Sequence, residues 1–129
     1  MAASYEKGLE VRKAVLGKDY VENSIKAASA DPFAKKLQDF VTEYCWGTVW
    51  CSEGLPRKTR SMLNIAMLTA LGKPHELRLH VRGALNNGVT RDEIAEVMLQ
   101  AGVYAGVPAA VDAFRQAREV FAEIDKEKK

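Results

Sequence analysis

The stretch PHELRLHVRGALNNGVTRDEI, residues 74–94, decides how the chain is read. Pro74 suits a first helical turn, where an N–H has no partner in any case. From there Leu77, Val81, Ala84 and Leu85 recur at the three- and four-residue spacing of one helical face, which predicts a helix over Pro74 to Asn87. Gly88 stands where helices commonly end in a left-handed residue. Thr90-Arg91-Asp92-Glu93 then opens a second helix with a capping box, the hydroxyl and the carboxylate each taking up an N–H that the first turn leaves unpaired.

The same grammar extends in both directions. A first helix is expected from Ser4 to Leu16, ended by Gly17, and a short one near Asp19 to Ala28. Asp31 caps a longer one that carries Phe33, Leu37, Phe40, Val41 and Tyr44 and frays near Gly47. Pro56 to Leu71 follows, and its run SMLNIAMLTAL is apolar almost all round. Such a helix belongs in the centre of a domain or between subunits. Beyond the capping box, Ile94, Val97, Met98 and Ala101 form one buried stripe, and Ala110, Phe114, Ala117, Phe121 and Ile124 form the last. The tail from Asp125 to Lys129 is charged and expected to fray. Gly102, Ala105, Gly106, Ala109 and Ala110 make a small-residue patch suited to a close helix crossing, within the chain or between subunits. With no sustained alternation of apolar and polar residues, the expectation is an all-α, single-domain bundle of about six to seven helices spanning residues 1–129.

Composition narrows the function classes. Hydrophobic residues make up 47% and charged residues 28%, an ordinary globular balance that excludes a disordered or collagen-like chain. Nineteen basic against seventeen acidic residues leave +2, too little to argue for nucleic acid. No apolar run reaches the ~20 residues of a membrane helix. The opening MAASYEKGLEVRK lacks the apolar core of a secretory signal, so a cytoplasmic protein is expected. Two cysteines then read as thiols.

There is no phosphate-binding glycine loop and no metal-ligand spacing, so no metal is expected. His80 flanks the buried face of its helix, and Glu76 is one turn earlier. A carboxylate beside an imidazole can hold its tautomer and raise its pKa, which equips an acid or base for neutral pH. The alternative is a core-flanking histidine bonded to a backbone carbonyl. His75, Arg78 and Arg82 project from the other side, as a solvated face or a subunit contact. In the segment TEYCWGTVWC, residues 42–51, Trp46 and Trp50 either wall a pocket or fill a core, and Glu43 is a carboxylate flanked by apolar positions. On a regular helix Cys45 and Cys51 are too far apart to bridge. Arg57, Lys58 and Arg60 open the apolar helix against its macrodipole, and Arg60 is either the best placed of them to bind a carboxylate or a surface arginine.

Taken in order, EYCWGTVW, then the segment LPRKTRSMLN, then PHELRLHVRGALNNGVTRDEI and then YAGVPAAVDAF resemble the carboxymuconolactone decarboxylase family, over roughly Tyr5 to Phe121. The resemblance implies the all-α fold shared with alkyl hydroperoxidase D and a homo-oligomer, usually a hexamer built as a trimer of dimers. It also implies decarboxylation without cofactor or metal, converting γ-carboxymuconolactone to 3-oxoadipate enol-lactone and CO2 in aromatic catabolism. The hydroperoxidase relatives carry a CxxC motif before the histidine that matches His80. Lys73 and Glu76 occupy those cysteine positions here, and Ser61 occupies that of the relay glutamate. On this reading His80 is the proton or hydrogen-bond donor, Glu76 orients it, Glu43 is a second carboxylate, Arg60 clamps the retained carboxylate and Trp46 shields the departing one. Two other readings compete: a thiol peroxidase using Cys45 or Cys51, and a non-catalytic oligomer that binds a small acid.

Overall fold

In the computed structural model, which describes residues 2–128, all regular structure is helical, with no strand among the described residues. The chain divides into two compact units, residues 1–56 and 57–129.

The N-terminal unit holds α1 (Ala2–Leu16), α2 (Lys18–Ser29) and α3 (Pro32–Phe40). Asp31 caps α3 as expected, its Oδ1 accepting the Phe33 N–H at 3.0 Å, with Pro32 in the first turn. The helix does not fray at Gly47. It continues from Val41 to Val49 with wider, π-helical turns, closed by the Trp50 N–H donating to the Cys45 carbonyl five residues back at 2.9 Å. The reason lies in packing. A Cβ on Gly47 would overlap the Ser4 carbonyl oxygen, and one on Gly8 would meet the Gly47 nitrogen at 2.6 Å. Gly47 therefore lets two backbones touch instead of ending a helix. Trp46 and Trp50 stack at 4.7 Å between ring centroids and form this unit's core with Val11 and Val15. Phe33, Leu37, Phe40 and Tyr44 do share a face, but that face is exposed, Phe33 to 87%.

The C-terminal unit holds α4 (Arg57–Leu71), α5 (Pro74–Asn86), α6 (Arg91–Ala105) and α7 (Val107–Glu127). Leu77, Val81 and Ala84 of α5 are buried against Ile65 of α4, Met98 of α6 and Ala117 of α7. Gly88, at φ 88°, turns the chain out of α5, and the capping box forms in full, Thr90 Oγ1 accepting from the Glu93 N–H at 3.0 Å and Glu93 Oε1 from the Thr90 N–H at 2.9 Å. Part of the small-residue patch closes within the chain, since a Cβ on Gly102 would lie 2.7 Å from that of Ala110.

Three expectations are corrected here. Helix α4 is not the centre of a domain within its own chain: Ser61, Ile65 and Thr69 face the core, while Leu63, Met67 and Leu71 are exposed. Arg78 and Arg82 do not stand free in solvent but are half-buried and held in ion pairs at the surface of their own chain. Arg78 pairs with Glu119 and Glu123, both at 2.7 Å, and Arg82 with Glu127 at 2.9 Å. The tail is helical through Glu127, with Asp125 held by Arg91 at 2.7 Å; Lys129 lies outside the described residues.

Candidate active site

The chemistry-bearing residues of the C-terminal unit collect on the seam between α4 and α5. His80 is brought inward by the rotation of α5 that buries Leu77, Val81 and Ala84, and only 9% of it is exposed. Its Nδ1 lies 3.4 Å from Nδ2 of Asn64 on α4. Further along the seam, Asn87 Nδ2 donates to Ser61 Oγ at 2.9 Å, and Ser61 is fully buried. Arg60 precedes Asn64 by four residues and therefore shares its side of α4. It is partly buried, with its Nε withdrawn from solvent.

Electrostatics follow burial. Desolvation penalises the imidazolium and lowers the His80 pKa from 6.5 to about 4. The expectation that Glu76 would raise it is overturned. Glu76 lies in the first turn of α5 and is exposed, so the ring responds to its apolar surroundings and not to a neighbouring carboxylate. At pH 7 about one ring in a thousand is charged, and His80 meets a ligand as a neutral imidazole, one nitrogen donating and the other accepting. His75 is exposed.

Glu43 and Trp46 belong to the N-terminal unit. Trp46 is 4% exposed and lies in the aromatic core. Glu43 is half-buried and lines a cleft of about 440 Å³ with Tyr5, Lys35, Gln38 and Asp39. Cys45 and Cys51 are free, partly buried thiols against the same aromatic core. No group of three or more His, Cys, Asp or Glu side chains that could hold a metal occurs among the described residues.

Two polar residues escaped the sequence reading. Asn64 is the one side-chain amide in SMLNIAMLTAL, and its place one turn after Arg60 was the available signal. Arg12 is buried in the N-terminal unit, its Nη1 donating to Gln38 Oε1 at 2.8 Å and Thr42 Oγ1 at 3.1 Å. Nothing in its local pattern, EVRKA, marks it as interior.

Comparison with known proteins identifies the family. Residues 35–119 match the model of the carboxymuconolactone decarboxylase family. The chain is 46% identical over 120 residues to the 4-carboxymuconolactone decarboxylase of Acinetobacter baylyi, covering 93% of this chain and 88% of that one. It is 47% identical over 109 residues to a nitrosuccinic acid decarboxylase of Metarhizium robertsii, covering 84% and 75%. With a family match over most of the chain and relatives that are decarboxylases aligned along most of its length, this chain belongs to the carboxymuconolactone decarboxylase family.

Proposed function

We propose that this protein releases CO2 from γ-carboxymuconolactone, giving 3-oxoadipate enol-lactone. The observation that carries the reading is the near-full-length likeness to the Acinetobacter enzyme. The buried, neutral His80 supplies its chemistry.

The leaving carboxylate of this lactone is conjugated through the ring double bond to the lactone carbonyl. When the bond to CO2 breaks, its electron pair moves through the ring onto the carbonyl oxygen. Protonation of the carbon beside the carbonyl then completes the product. The ring is its own electron sink, so the protein has to hold the anion, stabilise charge on the lactone oxygen and let a proton reach the ring carbon. His80, neutral at pH 7, donates a hydrogen bond to the developing enolate oxygen, and water supplies the proton that the ring carbon takes up. Arg60 pairs with the carboxylate that is retained, through charge-assisted hydrogen bonds. The desolvation that lowers the His80 pKa also strengthens each such contact.

Nitrosuccinate is the second reading, favoured by the Metarhizium relative. It presents the same logic, a dicarboxylate whose departing carboxylate is adjacent to an electron-accepting group. The protein acts as an assembly of copies, which gives the exposed Leu63, Met67 and Leu71 face of α4 an apolar partner. Light scattering on the purified protein tests this, and a hexamer is the expected state.

The deciding experiment mixes the protein with each substrate, without added metal or cofactor, and follows CO2 release and ring absorbance. Turnover of the lactone well above that of nitrosuccinate is expected; the reverse order reassigns the substrate. His80→Ala should cut turnover at least ~10²-fold while helical content and assembly persist, the usual scale for a lost hydrogen-bond donor to a developing oxyanion. Near-normal turnover in that variant removes His80 from the mechanism.

A further inference from the structure

We propose that Asn64 is a positioning residue that holds the His80 ring in the tautomer carrying its proton on Nε2. The inference deepens the functional reading above and rests on it for its consequence, though not for its spectroscopic test.

The geometry fixes the roles of the atoms. Asn64 presents its amide nitrogen, Nδ2, to the ring's Nδ1 at 3.4 Å. An amide NH2 has hydrogens to give and no lone pair to offer, so Nδ1 must be the acceptor. A neutral imidazole has a single N–H, which is therefore on Nε2. The alternative tautomer would require the amide to turn its Oδ1 toward the ring in place of Nδ2.

The contact is held by its surroundings. Asn64 is partly buried on α4, one turn after Arg60 and three residues after the buried Ser61. Ser61 is bonded to Asn87, which lies two turns beyond His80 at the end of α5. The two side-chain bonds thus pin the same pair of helices at two levels and fix the register that places the amide against the ring. Glu76, the carboxylate one turn before His80, is exposed.

The consequence for the reaction is a donor at a defined edge. With Nδ1 engaged, Nε2–H is the group that meets the lactone oxygen, and the ring need not rotate or change tautomer as charge develops. That is preorganisation of the kind that lowers a barrier without tightening ground-state binding.

The test reads the ring directly. Protein labelled with 15N in its histidines is examined at neutral pH, in a His75→Gln background so that His80 is the one histidine observed. Nε2 should show the shift of a protonated nitrogen and Nδ1 that of an unprotonated one. In Asn64→Asp the carboxylate accepts a proton from Nδ1, so the Nδ1 signal should move to the protonated position. In Asn64→Leu, of similar volume, the two nitrogens should move toward a tautomer mixture. Both variants should lose ~10–10²-fold in kcat with KM within about threefold of the parent, the scale of a misoriented catalytic group. A protonated Nδ1 in the parent protein, or identical ring spectra in all three, overturns the proposal. Loss of turnover with both substrates in the parent protein would instead remove the functional reading and leave the ring spectrum to decide the tautomer.

Discussion

Replacing His80 with Gln should change the way this protein responds to acid. In the fold the ring's pKa is lowered by burial from 6.5 to about 4, whereas in the unfolded chain it returns to its ordinary value. Between these two values the unfolded chain binds one more proton than the folded one, so stability rises with pH across the window. The contribution is fully present above about pH 6.5, declines as pH falls, and is gone near pH 4. At about 1.4 kcal/mol for each tenfold change in proton affinity, the span corresponds to about 3 kcal/mol. Carboxylates also titrate near pH 4, so the quantity to measure is the stability difference between parent and His80→Gln at pH 7 and at pH 4. Both tryptophans lie in the N-terminal unit and His80 in the other, so urea unfolding is best followed by far-ultraviolet circular dichroism. The parent's advantage over the variant should shrink by about 3 kcal/mol on going to the lower pH. Glu76→Gln serves as the control and should leave the His80 titration in place, because that carboxylate is exposed. An advantage independent of pH, or a titration displaced by Glu76→Gln, refutes the assignment of the low pKa to burial.

Other perturbations probe the remaining contacts. Arg60→Ala should raise KM for the lactone by about 10–100-fold, the worth of a charge-assisted hydrogen bond, with a smaller change in kcat. An unchanged KM removes the carboxylate clamp. Gly47→Ala drives a methyl group into the Ser4 carbonyl and should cost the N-terminal unit about 1–3 kcal/mol. Tryptophan fluorescence reports that unit, and an unmoved unfolding midpoint would show that the backbones do not touch there.

Much of the fold was legible because it is written in short-range chemistry. The cap at Asp31, the box at Thr90 and Glu93 and the stop at Gly88 are satisfied within a few residues and form as read. Part of the site was legible for the same reason. The spacing of Leu77, Val81 and Ala84 dictates how α5 rotates, and that rotation carries His80 inward. Glu76 was misread because a one-turn separation allows a pairing without enforcing it. An exposed carboxylate keeps its hydration, while the imidazole is desolvated by neighbours distant in sequence. Arg78 and Arg82 found their partners on α7, whose glutamates are about forty residues away, beyond any local pattern.

The division between sequence and structure follows the range of the forces involved. Hydrophobic periodicity and capping chemistry act over one or two turns, so the chain by itself determined that it is all-helical, where most of its helices begin and end, and which face of α5 is buried. What a buried side chain meets depends on which helix lies opposite. Only the tertiary structure decided that Gly47 serves a backbone contact instead of a helix end, that one face of α4 is left uncovered by its own chain, and that an amide, not a carboxylate, stands against the His80 ring.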